Sequence, residues 1–242
     1  MSITTVILFG LVVLITHFIE GITGFGCTVL ALPFCTMLVG LKTAVPSLII
    51  IALFMAIYVV VISYKDIVWK AYLKIIFFVL IGLPIGIHFF SILPENILKK
   101  ILAVFMILVS IRGIYTSYKS IKLRELNPII LDLTLFLGGC IHGAFGSGGP
   151  LLVIYSARAL KDKSNFRATL CMVWATLNSI IVYRYFSNNV LNSNIYRIVL
   201  YSLPFLILGA ILGNIAHHKI QDKYFSKIVY AVLLISGIFM LI

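Results

Sequence analysis

The sequence has few charged residues and lacks the motifs of the common enzyme classes. Of its 242 residues, 11% are charged and 62% are hydrophobic, which is too little charge for the surface of a soluble protein of this size. No HExxH, P-loop lysine or complete GxGxxG motif occurs. The four cysteines show neither CxxC nor Cys/His spacing, so the sequence indicates no disulfide, no metal site and no cofactor.

Long apolar runs recur along the whole chain, and each can cross all or most of a hydrocarbon layer about 30 Å thick. The first residues are also apolar and show no cleavage site, so they predict a membrane segment rather than a signal peptide. The chain is therefore predicted to be an all-α, polytopic membrane protein. Its net charge of +12 is attributed to loops that orient it in the membrane, not to nucleic-acid binding. The long runs are 45–63, 73–93, 97–111, 170–183, 195–216 and 224–242.

Two glycine-rich breaks interrupt the apolar runs at matching positions in the two halves. Glycine weakens a helix, and the proline that follows the second break suits the first turn of a new one. The two sets of glycines match at an offset of 122 residues: Gly21, Gly24 and Gly26 with Gly143, Gly146 and Gly148. A GxxxG pair, which allows close helix packing, repeats at an offset of 127: Gly82 and Gly86 with Gly209 and Gly213. This matching indicates an internal duplication.

The distribution of Lys and Arg indicates how the two broken segments cross the membrane. If each were a single crossing, the loops on one face would hold nine basic residues and those on the other face ten. If each were a hairpin returning to its own face, the numbers would be 14 and five. Because cytoplasmic loops are enriched in Lys and Arg, the hairpin arrangement is favoured. It predicts two inverted repeats, each a hairpin plus three transmembrane helices, with both termini on the outer face.

The predicted boundaries follow from this arrangement. The first membrane repeat covers 1–118, a cytoplasmic linker 119–128 and the second repeat 129–242. The limbs of the second hairpin, 129–141 and 149–160, reach only about 18–20 Å, so its tip is predicted to stop inside the membrane. Whether the first hairpin spans the membrane fully stays open. The predicted hairpins are 3–40 and 129–160, and the predicted helices are 43–63, 71–93, 97–118, 167–186, 195–216 and 224–242.

The returning limb of each hairpin begins at the glycine break, so its helix N-terminus points into the membrane. Unpaired backbone N–H groups and the helix dipole favour an anion there, although the glycines could serve only to permit tight turns. Asn178 and Arg167 are further candidates for binding the anion, and Arg167 could equally be an ordinary cytoplasmic anchor. The candidate substrate-binding residues at the breaks are Thr23, Gly24, Phe25, Gly26, Gly146, Ser147, Gly148 and Gly149.

Three ionisable residues lie at or near the breaks. Glu20 aligns with His142 at the offset of the glycines, and His17 precedes Glu20 by about one helical turn. Because ionised groups are costly inside a membrane, these three are candidates for coupling transport to protons. Each could instead be a neutral, hydrogen-bonded structural residue. Cys27, beside the first break, is interpreted as a packing residue, and His217 as part of a solvated loop.

Two stretches resemble the TauE/SafE family of membrane permeases, often called sulfite exporters. The first is GITGFG at 21–26, followed by Leu32-Pro33. The second is GAFGSGGP at 143–150, followed by VIY at 153–155, DK at 162–163 and FRAT at 166–169. The resemblance implies export or uptake of sulfite, sulfonates or related small anions, energised by an ion gradient.

We therefore predict a secondary transporter of a bacterial inner membrane that works by alternating access around a site at the midplane. Its expected partners are a small anionic substrate, the lipid bilayer and a coupling ion, either a proton or sodium, with a homodimer as a further option. The alternatives are an anion channel and a membrane scaffold or assembly protein. An intramembrane serine hydrolase built on Ser147 and His142 lacks an orienting carboxylate.

Overall fold

The computed structural model of the chain describes residues 3–119, 127–160 and 162–217, together with 234, 237 and 238. Throughout this part of the chain the regular elements are helical, with nine α-helices and one 3-10 turn. Most of the predicted linker and of the predicted last helix lies outside the described residues. The first half forms α1 (Ile3–Thr23), α2 (Cys27–Val39), α3 (Leu41–Ser63), α4 (Trp69–Ile92) and α5 (Glu95–Lys119). The second half forms α6 (Pro128–Phe145), α7 (Gly149–Ala159), α8 (Lys163–Ser187) and α9 (Ser193–His217).

Six of these helices, namely α1, α3, α4, α6, α8 and α9, are long and apolar enough to cross a membrane. Large apolar side chains lie on their outer faces. On α4, for example, Phe77 and Ile81 are exposed, whereas Val79 and Leu83 are buried. Extensive exposed apolar surface of this kind suits contact with lipid. The predicted class, an all-α protein with several membrane-spanning helices, is confirmed for the described residues.

Both glycine breaks are sharp turns that end one helix and begin another. At the first break, Gly24 and Gly26 have left-handed backbones, with φ of +79° and +100°. At the second, Gly146 has φ of +65°. The same hydrogen bond closes both helices: the Gly24 N–H donates to the Glu20 carbonyl oxygen, and the Gly146 N–H to that of His142, each at 2.7 Å. Glycine permits these turns because it has no Cβ to clash in the left-handed region.

The helix before the second break is longer than its sequence predicts. The predicted limb ends at residue 141, but α6 continues to Phe145. Gly143 and Ala144 keep helical backbone, and only Gly146 leaves it. The 18 residues of α6 reach about 27 Å at the usual helical rise, so the predicted limb of about 18–20 Å is too short.

The helices pair across the two halves of the chain. Helix α1 packs along α9, α6 packs along α4, and α3 packs against α8. The glycines of the GxxxG pairs allow this close approach, as the sequence predicts. A Cβ built on Gly21 of α1 would lie 2.8 Å from the Gly213 Cα of α9, so the two helix backbones are in contact there.

Replacing Gly86 with alanine is expected to destabilise the contact between α4 and α6. The added methyl group would collide with the Cys140 carbonyl oxygen and lie 2.8 Å from the Ala144 nitrogen, and helix backbone cannot move aside easily. Overpacking of this kind costs about 1–3 kcal/mol, which exceeds the gain of up to about 1 kcal/mol from replacing a helical glycine. We therefore expect a lower thermal unfolding temperature for the detergent-solubilised protein. Gly149→Ala is the matched control, because its Cβ would have no neighbour nearer than 3.7 Å. Equal unfolding temperatures for the two variants would contradict the close contact between α4 and α6.

Candidate functional site

The two glycine breaks, one from each half of the chain, line the same interior cavity. Its volume is about 20 Å³, close to the least room that one buried water molecule requires. Helix α8 closes one side of it. The lining from the first half is Glu20, Ala52 and residues 26–29; the second half contributes His142, Gly146, Ser147, Gly149, Trp174 and Asn178.

The glycines of the second break lie against side chains at and just after the first break. A Cβ built on Gly149 would lie 3.7 Å from the Phe25 Cβ, and one built on Gly146 would lie 3.4 Å from the Thr28 methyl carbon. The structure therefore brings together the two segments that the sequence predicts to meet. Their role in binding an anion stays a prediction.

Trp174 of α8 joins the two breaks directly. Its indole Nε1 donates a hydrogen bond of 2.9 Å to the Gly24 carbonyl oxygen at the first break. Its ring stacks on His142 near the second break, with centroids 5.2 Å apart and an angle of 20° between the planes. Trp174 is not among the residues predicted from the sequence. The signal was its spacing, since Arg167, Trp174 and Asn178 lie seven and four residues apart, on one helix face.

Asn178 and His142 form a buried polar pair beside the cavity. The Asn178 Oδ1 lies 3.0 Å from the His142 Nε2, and each residue is buried. Because an amide oxygen only accepts, Nε2 carries the proton of a neutral imidazole. The His142 Nδ1 is then an acceptor, and it has no hydrogen-bond partner among the described residues. His142 thus offers a buried site for a proton beside the cavity.

Replacing Asn178 with leucine should destabilise the protein through this pair. The His142 Nε2–H would be buried without an acceptor, which costs about 1–3 kcal/mol, while leucine nearly conserves the side-chain volume. We expect a lower unfolding temperature, measured by intrinsic fluorescence on heating. Ser179→Ala is the control, because the neighbouring Ser179 is exposed and bonds only to its own helix, at the Ala175 carbonyl oxygen. If the two variants unfolded at the same temperature, the hydrogen bond between His142 and Asn178 would make no contribution to the stability of the protein.

Arg167 lies beside the first break but does not line the cavity. Its Cα would be 2.7 Å from a Cβ built on Gly24. The side chain is buried, and its Nη2 donates a hydrogen bond of 3.0 Å to the Asn214 Oδ1 of α9. No ion pair of Arg167 occurs in the described part of the chain. The Glu20 carboxyl lies near enough to interact with it electrostatically without forming an ion pair. A buried guanidinium of this kind differs from the solvent-exposed cation expected of an ordinary membrane anchor.

The structure divides the predicted site residues into two groups. Thr23 is bonded to backbone, since its hydroxyl lies 2.9 Å from the carbonyl oxygens of both Ile19 and Phe25. The predicted residues that line the cavity are Glu20, Gly26, His142, Gly146, Ser147, Gly149 and Asn178. The predicted residues that support it from outside are His17, Thr23, Gly24, Phe25, Gly148 and Arg167.

Cys27, predicted to be a packing residue, and His217, predicted to lie in a solvated loop, have more specific positions in the structure. Cys27 lines the cavity at the start of α2. His217 is wrongly predicted to lie in a solvated loop: it is the last residue of α9, it is buried, and its Nδ1 lies 2.7 Å from the Ile22 carbonyl oxygen of α1. The basic and polar residues after it resemble a loop, whereas its burial depends on the packing of α9 against α1.

Comparison with known proteins identifies the family. A family model described as "Sulfite exporter TauE/SafE" matches residues 8–240, which is nearly the whole chain. No curated protein and no solved structure matches the chain. The matching family consists of membrane transporters of the sulfite exporter type, not enzymes, in agreement with the six candidate membrane spans. The predicted resemblance is confirmed: this multi-pass membrane protein belongs to the sulfite exporter TauE/SafE family.

Proposed function

We propose that this protein is a secondary transporter of a small anion, such as sulfite, a sulfonate or a related organic anion. It would work by alternating access across a bacterial inner membrane. One observation carries the proposal: the glycine breaks of the two halves line one interior cavity. Broken helices that meet inside a membrane protein are typical of the substrate sites of secondary transporters.

The chemistry of the cavity favours an anion. Helices α2 and α7 both begin at the cavity, at Cys27 and Gly149, and neither N-terminus has a side-chain cap. The backbone N–H groups of a first helical turn usually have no partner within the helix. In α7 the available group is that of Gly149, because Pro150 has no N–H and the Leu151 N–H donates to the Gly148 carbonyl oxygen at 3.1 Å. Those groups and the helix dipoles would therefore attract negative charge from both sides of the cavity. The buried Arg167 behind the first break adds a full positive charge.

The helix pairing supports an inverted repeat. Helices α1 and α6 open the two halves, and α4 and α9 occupy matching places within them. The pair α1 with α9 therefore matches the pair α6 with α4, while the matching helices α3 and α8 pack on each other. A pseudo-twofold axis between two repeats would produce this pattern, in which the first helix of each repeat packs on a helix of the other repeat. Together with the basic loops, it supports two inverted repeats with both termini on the outer face.

Proton coupling is proposed for Glu20 and His142, with His17 behind them. Glu20 and His142 line the cavity from opposite halves. Each has a buried polar atom without a hydrogen-bond partner among the described residues. A proton taken up at either residue would change the charge beside the bound anion. Sodium is the other coupling ion that the test must include.

The test is transport by the purified protein in proteoliposomes. Labelled sulfite, sulfoacetate and taurine would each be supplied under an imposed pH gradient, an imposed sodium gradient, or neither. We expect at least one anion to accumulate above its equilibrium level under one of the gradients. Flux that only equilibrates the anion would indicate a channel. Absence of any flux from a folded, reconstituted protein would favour a scaffold and overturn the proposal.

A further inference from the structure

Three side chains of different chemistry face one another behind the first break. His17 and Glu20 lie on α1, and Cys27 begins α2. One ligand atom from each lies within 4.8 Å of the other two, and all three residues are buried. The left-handed turn at Gly24 and Gly26 makes this possible, because it folds the start of α2 back onto the end of α1.

The hydrogen bonding of His17 leaves one ring nitrogen ready to bind. Its Nδ1 lies 2.8 Å from the Val13 carbonyl oxygen, and a carbonyl only accepts, so Nδ1 carries the proton. The Nε2 therefore holds a lone pair, and it has no partner among the described residues. Metal-binding histidines are commonly oriented in this way, with the second nitrogen donating to a backbone carbonyl or a carboxylate.

Glu20 presents a second acceptor to the same space. Its Oε2 is buried and likewise has no hydrogen-bond partner among the described residues. The side chain of Glu20 is 2% exposed and that of His17 is 0% exposed, so solvent does not satisfy either atom. Two buried acceptors side by side are costly unless a positively charged species lies between them.

A shared proton does not account for this arrangement as well as a metal ion does. A proton bridging two heavy atoms requires a separation of about 2.5–3.2 Å, and the His17 Nε2 and the Glu20 Oε2 are not hydrogen-bonded to each other. The Cys27 thiol does donate to the Glu20 carboxylate, and a cation would take the place of that thiol proton. The ligands of a tetrahedral zinc ion lie about 3.5 Å apart, given Zn–N of about 2.0 Å and Zn–S of about 2.3 Å. The observed separations of up to 4.8 Å need only a modest contraction to reach that value.

We propose that His17, Glu20 and Cys27 form a binding site for one divalent cation of the zinc class. Nitrogen, carboxylate and thiolate donors suit zinc, whereas magnesium and calcium prefer all-oxygen sites. A carboxylate and a thiolate would balance the two positive charges, so the loaded site would be neutral inside the membrane. Binding would release the thiol proton of Cys27.

Three protein ligands leave one coordination position for another group. Glu20 and Cys27 also line the cavity, which has room for about one water molecule, so a water molecule there can reach the cation. The proton coupling proposed above for Glu20 and His17 would then apply only while the site is empty, and with the cation bound His142 would carry it alone. The metal site itself does not rest on transport, because a non-transporting protein could bind the ion equally well.

The first test is spectroscopic and uses the full chain in detergent after removal of metals with a chelator. Titration with Co²⁺ alone is expected to give a thiolate-to-cobalt charge-transfer absorption that saturates at about one ion per chain and is lost when Zn²⁺ displaces the cobalt. A variant that keeps Cys27 as its only cysteine (Cys35→Ser, Cys140→Ser, Cys171→Ser) should keep the absorption. Absence of the absorption from the wild-type protein would overturn the site.

Single substitutions then assign the ligands. Cys27→Ser should abolish the absorption, and His17→Gln and Glu20→Gln should each weaken Co²⁺ binding at least about tenfold. Cys35→Ser is the matched control, since Cys35 is a second buried cysteine of α2 outside the cluster. An absorption that survives Cys27→Ser would mean that cobalt binds elsewhere. Sulfite transport measured on the same preparations separates the two proposals, because metal binding without transport would overturn only the proposed function.

Discussion

Gly146→Ala is expected to lower anion transport at least about 100-fold. Gly146 has a left-handed backbone, and a Cβ there would lie 2.6 Å from the Ile49 Cγ1. The left-handed backbone costs a residue with a Cβ about 1–2 kcal/mol, and overpacking costs about 1–3 kcal/mol more. About 3 kcal/mol in total corresponds to roughly a 100-fold change in an equilibrium. Uptake of labelled sulfite into proteoliposomes measures the effect.

The control for this variant lies in the same break. Gly149→Ala also adds one methyl group beside the cavity, but Gly149 begins α7 with ordinary helical backbone and the methyl group would meet its first neighbours at 3.7 Å. Since Gly149 itself lines the cavity, this variant should keep the wild-type fold and lose less transport than Gly146→Ala, which separates the effect of the left-handed backbone from that of the methyl group. Wild-type transport by Gly146→Ala would show that the shape of the second break is not needed for the function, and the proposed site would have to be abandoned.

The sequence predicts well those features that depend on only a few neighbouring residues. Glycine and proline mark the breaks because they act within one or two residues of themselves. The start of α2 at Cys27 and of α7 at Gly149 follow from that local effect. The end of α6 could not be predicted in this way. Gly143 tolerates helical backbone, and the sequence does not show which glycine of the second break ends the helix.

The meeting of the two breaks could be predicted because the chain repeats itself. The offset of 122 residues and the basic loops together place both breaks at corresponding positions. The contacts of Trp174, His217 and Cys27 could not be predicted in this way. Each joins a residue to a segment far away in the chain or across a turn, such as Trp174 to Gly24 and His217 to Ile22. The packing of α8 and α9 beside α1 determines the partners of Trp174 and His217, and the turn at Gly24 and Gly26 determines those of Cys27.

Arg167→Gln is expected to lower anion transport about 100-fold or more. Arg167 is buried beside the first break, and it forms no ion pair in the described part of the chain. Charge interactions are several times stronger at such a site than in water, so loss of this full positive charge should weaken anion binding strongly. Glutamine is two bonds shorter than arginine, so the substitution removes the hydrogen bond to Asn214 as well as the charge, and Arg167→Lys serves to separate the two effects. Because anion binding is weakened, the loss of transport should appear mainly as a higher KM for sulfite.

Two further variants separate charge from structure at Arg167. Arg167→Lys keeps the positive charge and should retain roughly a tenth or more of the wild-type transport, because a single hydrogen bond to Asn214 does not require the planar fork of arginine. Arg197→Gln removes one positive charge from the exposed surface of α9 and should transport normally, since exposed charges are screened by salt. If Arg167→Gln and Arg197→Gln transported equally well, Arg167 would be a structural residue. The attraction of the anion would then have to come from the backbone N–H groups of the two breaks alone.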